Sequence, residues 1–246
     1  LGKRLSNISS DQLNITGISR NRESLYLADI QIQFDIHSNA SLEKELLNNY
    51  HAVIITLVPQ GFDKKGYEKG YVEGMKKINQ LLKSVTFNKA LLISSTRVYG
   101  SKNNFIKETS VAVPDDFRGE CLLQSEELFM KNIFSTQKLV ARTSGLYNKG
   151  SPSNIANWVN HFDGQKITLP NKTMNRICRD TVSKFMLNFC IFGSKHSIIN
   201  LSEPSVSYED AFSTLFPKKI FNEYFEVQDI EKIFDLTTLN TSNLLE

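Results

Sequence analysis

The chain has 246 residues, 40% hydrophobic and 22% charged, with a net charge of +3 at pH 7. That length suits one large α/β domain or a domain with a smaller lobe, and so small a charge, carried by scattered basic pairs such as Lys64-Lys65 and Lys218-Lys219, argues against nucleic acid or an acidic membrane as partner. No apolar run approaches the ~20 residues of a bilayer span, and no charged-then-apolar leader opens the sequence.

Cys121, Cys178 and Cys190 lack CxxC spacing, which fits reduced thiols and a cytoplasmic location. His37, His51, His161 and His196 form no HxxxH or HxH pair, so no metal site is expected. The chain starts at Leu1 and reads as a helix from Gly2 to Leu13. A strand and turn preceding that helix are expected to lie outside this sequence.

Strands are expected over Asn14–Ser19 and Asp29–Phe34, the second from the alternation of Ile30, Ile32 and Phe34. Ser41 opens a capped helix. Ala52–Val58 is an unbroken apolar run stopped by Pro59, the pattern of a strand buried on both faces. A long amphipathic helix follows over Gly66–Ser84, then a strand over Lys89–Ser95, a helix over Arg118–Asn132 and a strand over Gln137–Arg142. Such alternation predicts an α/β fold, a Rossmann-like doubly wound parallel sheet.

Past Tyr147 the elements shorten. Helices are expected near 154–161, 180–192 and 208–216, and a strand over 197–201. We therefore expect a dinucleotide-binding domain over residues 1–147 and a smaller substrate lobe over 148–246 that partly returns to the sheet. The stretch after Phe221 reads as a loosely held tail.

Leu92-Ile-Ser-Ser-Thr-Arg-Val-Tyr-Gly100 is an apolar strand that ends abruptly in hydroxyls. It resembles the "SSxxVYG" segment of the extended short-chain dehydrogenases, the NAD(P)-dependent epimerase and dehydratase group. Other matches follow in the family's order. Asp35-Ile36 trails the third strand of that fold, Pro59 ends the fourth, and Arg142-Thr-Ser-Gly-Leu-Tyr147 is similar to "R-x-x-x-[IL]-Y-G". Asn175-Arg-Ile-Cys-Arg-Asp180 resembles "N-x-I-H-V-D-D", and Asn200–Ser207 resembles "Y-N-[IV]-x-x-x-x-P-x-S". The resemblance covers Gly2 to about Phe216.

The resemblance implies a cofactor site made by Gly2, Ser19, Arg20, Asn21, Asp35, Ile36, Leu57, Val58, Pro59, Ser94, Thr143, Ser144 and Gly145. Ser19-Arg20-Asn21 carries no acid where readers of the ribose 2′-OH place one, and a cation there would attract a 2′-phosphate. NADP(H) is accordingly expected over NAD(H). The substrate is expected to be a small molecule, of which a nucleotide sugar is one form, contacted by Thr96, Arg97, Asn175 and Arg176. Arg97 could instead pair with Glu108, and Arg176 and Arg179 could be plain surface charges. A homodimer through the two long helices is a further expectation from the family.

In this family Ser95 would orient the reacting hydroxyl, while a Tyr lowered in pKa by a Lys one helical turn on would transfer its proton. Eight tyrosines occur, and none has Lys four residues later. In Phe117-Arg-Gly-Glu-Cys-Leu-Leu-Gln-Ser-Glu126, aligned by Gly119 and Glu126 on "Y-G-x-S-K-x-x-x-E", Arg118 replaces the Tyr and Leu122 the Lys. A guanidinium does not release its proton near neutrality. Three readings follow: an epimerase- or dehydratase-like enzyme with altered acid–base residues, a non-catalytic NADP(H)-binding regulatory or scaffold protein, or a structural protein with a dead cofactor site.

Overall fold

The computed structural model describes residues 1, 2, 5, 13–25, 28–38, 42, 49–101, 106–149, 167–170, 173–213 and 225–228. Among them a parallel sheet runs in the order β10 (Ile198–Leu201), β5 (Gln137–Thr143), β4 (Phe87–Ser95), β3 (Tyr50–Thr56). Leu91 pairs with Leu139 and Ile54, and Val140 pairs with Ile198. The doubly wound expectation holds.

Alternate residues of the central strands face opposite layers. Leu91, Ile93, Leu139 and Ala141 pack on one face against Val182, Phe185, Met186 and Phe189 of α4 (Arg179–Phe192). Ala90, Leu92 and Val140 pack on the other face with Met75 of α2 (Gly74–Leu81), Phe129 of α3 (Phe117–Asn132) and Ile133. Burying each such Leu or Phe stabilises by ~1.5–3 kcal/mol, which is why these strands read as continuous apolar runs.

The long helix expected over Gly66–Ser84 is built in pieces. One turn, α1 (Lys64–Tyr67), is capped by the Asp63 carboxylate, which accepts from the Gly66 N–H at 2.9 Å. A π-helical segment, Glu68–Glu73, leads into α2. The wide turn coincides with a close approach. A Cβ on Gly70 would lie 2.3 Å from the Val58 carbonyl oxygen and 2.6 Å from Pro59 Cα, so only glycine lets the loop after β3 lie on the helix.

A separate parallel pair, β1 (Thr16–Ser19) with β2 (Ile30–Gln33), stands beside the sheet. Two more short pairs lie beyond β5. They join β6 (Gly145–Tyr147) to β9 (Arg176–Cys178), and β8 (Thr173–Met174) to β11 (Val206–Ser207), ahead of α5 (Tyr208–Ser213). β7 (Ile167–Pro170) pairs in parallel with β12 (Phe225–Gln228). This last pairing corrects the loose-tail reading at Phe225–Gln228, which is a strand with a register; the rest of the segment after Phe221 lies outside the described residues. The helices expected over 154–161 and from Ser41, and most of the one expected over 2–13, lie outside the described residues.

Candidate functional site

The carboxyl ends of β3, β4 and β5 open into one cavity of about 890 Å³. Its walls include Leu57, Val58, Ser94, Ser95, Thr96, Arg97, Leu122, Thr143, Ser144, Gly145 and Asn175. Crevices at this edge are where open α/β sheets bind ligands. A second cavity of about 370 Å³ lies between β1 and β3, lined by Ser19, Arg20, Asn21, Asp35, Ile36 and His37 among others. Thr56, Leu57 and Val58 line both. Most of the residues expected at a dinucleotide are thus gathered along two adjoining hollows.

Four expected residues line neither hollow. Gly2 lies in a helical turn, with nothing within 4 Å of where a Cβ would sit. Pro59 is pressed against Gly70. Arg176 stacks its guanidinium 4.4 Å from the Tyr147 ring centroid, with Nη1 3.7 Å from Met174 Sδ. Arg118 packs over the rings of Tyr67 and Phe117, at 5.9 and 5.5 Å, and its buried Nε has no partner among the described residues. Leu122, by contrast, faces the first cavity and presents a hydrocarbon surface there.

Ser95 is half-buried, and its Oγ accepts from the Arg97 N–H at 3.3 Å as β4 turns into the 3₁₀ segment Thr96–Tyr99. That segment ends at Gly100, whose φ of 68° is the left-handed conformation glycine tolerates. Arg97 does not pair with Glu108. Its Nη1 lies 2.8 Å from Asp116 Oδ2, and the Glu108 carboxylate accepts from the Asn200 N–H instead. Asp116 is also the cap of α3, accepting from the Gly119 N–H at 2.8 Å. The cap fixes the carboxylate within reach of Arg97, which the spacing of charges along the chain does not reveal.

Behind the cavity lies a buried polar chain. The Ser94 hydroxyl donates to Glu126 Oε1 at 2.5 Å, and Arg142 reaches Glu126 Oε2 through Nη2 at 2.7 Å. Burial opposes the Arg142 charge, but the bond to Glu126 outweighs it and the guanidinium is held more firmly protonated than usual. Arg142 also lies over the Tyr99 ring, whose hydroxyl donates to Asn200 Oδ1 at 2.9 Å. Glu126, which only set the alignment of α3, is therefore a keystone of the site's floor.

Two buried polar atoms at the cavities have no partner among the described residues: Ser144 Oγ in the first and His37 Nε2 in the second. Burial lowers the His37 pKa, so the ring is neutral near pH 7. Such orphans mark polar groups suited to an incoming hydrogen-bonding ligand. Neither residue stood out by sequence motif; Ser144 was included only through the loop after β5.

No protein-family model matches the chain, and no curated protein matches it. Solved structures do. UDP-glucuronic acid 4-epimerase from Bacillus cereus, in complex with NAD, superposes with a TM-score of 0.74 at 19% identity over 99% of this chain and 87% of that one. UDP-N-acetylglucosamine 4-epimerase from Methanobrevibacter ruminantium gives 0.72 at 15% identity over 99% and 86%. A double mutant of dTDP-glucose 4,6-dehydratase from Streptomyces venezuelae, with NAD bound, gives 0.67 at 14% identity over 91% and 76%.

The chain has the fold of the nucleotide-sugar epimerases and dehydratases. This fold also corrects the cofactor expectation. Where these structures name a dinucleotide it is NAD, not NADP. At the second cavity Arg20 Nη1 donates to Gln60 Oε1, so one N–H of the group expected to hold a 2′-phosphate is taken up within the chain. No described helix is long and apolar enough to cross a membrane.

Proposed function

We propose that the chain is an NAD-dependent enzyme that oxidises and reduces a sugar carbinol of a nucleotide sugar, as an epimerase or a dehydratase does. The observation that carries the reading is the gathering of Ser95, Ser144, Leu57 and Val58 on one cavity at the carboxyl edge of the sheet. Its volume suits a ligand of this size. The reading also draws on the fold shared with proteins that hold NAD, UDP-glucose or UDP-glucuronic acid.

Ser19, Asn21, Asp35 and Ile36 would flank the adenosine end of NAD, with Leu57 and Val58 along its middle. Thr143, Ser144 and Gly145 would meet the nicotinamide end. When bound, NAD supplies the reversible acceptor for two electrons and one hydrogen from the substrate carbon. Ser95 would hold the reacting hydroxyl. Arg97, whose Nη1 is held by Asp116, and Arg179, whose Nη1 donates to Asn148 Oδ1 at 2.9 Å, would offer the substrate anion their remaining N–H donors. Asn175, whose Oδ1 accepts from Ser205 Oγ at 2.6 Å, would stand at the substrate wall. Thr96 is spent mostly on the fold, with its Oγ1 3.5 Å from the Thr143 carbonyl.

The test is incubation with NAD and, in turn, UDP-glucose, UDP-glucuronic acid and UDP-N-acetylglucosamine, with chromatographic separation of the sugar nucleotides. The reading expects a new sugar nucleotide from at least one of them. Tight NAD binding with no conversion would favour a non-catalytic dinucleotide-binding protein. Arg118 packed away from the cavity and the apolar Leu122 are the observations that keep that second reading in view.

A further inference from the structure

An enzyme of this kind needs a group that carries a proton to and from the reacting oxygen, and α3 does not provide one. Arg118 points onto aromatic rings, and Leu122 is hydrocarbon. A phenol nevertheless stands beside Leu122. Tyr71 packs against the cluster of Val98, Tyr99, Ile106 and Leu122, and it lines the same cavity as Ser95, Arg97 and Ser144. It is delivered by the π-helical turn Glu68–Glu73, which Gly70 allows to press onto the loop after β3. Irregular turns of this kind occur frequently at functional sites.

Two other phenols are committed elsewhere. The Tyr99 hydroxyl donates to Asn200 and the Tyr147 hydroxyl to Glu203. Tyr67 does not line the cavity and stacks on Phe117. Tyr208 lines it, but from α5 rather than from the side of Leu122. The Tyr71 hydroxyl is hydrogen-bonded to none of the described residues. Burial and the neighbouring Tyr67 push it up to about 12, while the charge of Arg97 pulls the other way. Tyr71 is therefore a protonated phenol at neutral pH, and Arg97, itself paired with Asp116, is the neighbouring charge that favours the phenolate.

We propose that Tyr71 is the proton-carrying catalytic residue of this site, supplied by the first long helix in place of the Tyr and Lys missing from α3. The proposal rests on the NAD-dependent reading above. In the reductive direction a C–H bond forms at the carbonyl carbon with the hydrogen and electron pair returned by the nicotinamide. The C=O double bond becomes a single bond, and the oxygen takes the proton of Tyr71 Oη, leaving a phenolate beside Arg97. In the oxidative direction the neutral phenol first gives up its proton to solvent in the cavity, and the phenolate then takes the hydroxyl proton as the C–H bond breaks. Atoms and electrons balance with the dinucleotide as the only redox partner.

The test compares wild type with Tyr71→Phe, which keeps the ring and deletes the oxygen. Turnover of the nucleotide sugar accepted by the wild type should fall about 100- to 10,000-fold. NAD affinity, KM and the melting temperature should hold. A second readout needs no turnover. In protein carrying carbon-labelled tyrosine, the ring resonance absent from Tyr71→Phe should shift when UDP-glucose is added without NAD. Undiminished turnover in Tyr71→Phe, an unmoved resonance, or a Tyr208→Phe variant that alone abolishes turnover would overturn the proposal and leave the NAD-dependent reading standing. Failure of the wild type to convert any of the three UDP-sugars would overturn both.

Discussion

Glu126 and Arg142 form a buried ion pair, 2.7 Å apart and 4% and 5% exposed, that joins α3 to the end of β5 directly beneath the cavity. Ser94 adds its hydroxyl to the same carboxylate. The pair fixes the strand end that carries Thr143 and Ser144. Removing one partner strands the other charge, which costs about 3–5 kcal/mol. Glu126→Ala should lose that much in a urea unfolding curve, against a much smaller loss for an exposed residue such as Glu127→Ala. Equal losses would show that the pair does not anchor the floor.

Arg118 is predicted to matter little to ligand binding. Its guanidinium packs over Tyr67 and Phe117 and does not line the cavity. Arg118→Ala should cost about 0.5–2 kcal/mol of stability from the lost ring contacts. Calorimetry should find NAD affinity unchanged. A large drop in NAD affinity would place Arg118 in the site after all.

Alkaline pH should loosen the fold through Tyr71 and Tyr147. Burial, with Tyr67 beside one and Glu203 bonded to the other, raises each from 10.0 to about 12. Both phenols are thus held neutral in the fold beyond the pH at which they would ionise in the unfolded chain. Their contribution is fully present below pH 10 and is lost as the pH climbs from there toward 12. Urea midpoints measured across that window should fall, and fall less steeply in Tyr147→Phe. A slope unchanged by the substitution would contradict the assignment.

Arg20 should not decide between dinucleotides. It is exposed and hydrogen-bonded to Gln60. A contact of that sort is worth about 0.5–1.5 kcal/mol, so Arg20→Ala should leave NAD affinity within about tenfold. A hundredfold change, measured by calorimetry, would restore Arg20 as a direct ligand.

Much of this arrangement is legible along the chain. The apolar runs of β4 and β5 announce strands buried on both faces, whereas β3, expected to be so, ends the described sheet and buries only Ile55; the hydroxyls of Ser94 and Ser95 mark where β4 reaches the sheet edge. Those signals are local, set by alternation and by an abrupt change of polarity. The partners of charged groups are not local. Arg97 finds Asp116 because the cap of α3 presents that carboxylate, and Glu108 is drawn off to a strand far along the chain. Tyr71 escapes notice for a related reason. A regular helix at its spacing reads simply as amphipathic, and the π-helical turn with the glycine contact behind it is what the residue's place on the cavity wall adds. The short strand pair β7 with β12 joins segments too distant for any periodicity to link.

The account turns on a dinucleotide lying along the two hollows that share Thr56, Leu57 and Val58. A calorimetric titration of NAD into the protein tests this most directly. Saturable one-to-one binding in the micromolar range is the predicted result. No heat of binding up to millimolar NAD would contradict the account and leave a fold of this class without its cofactor.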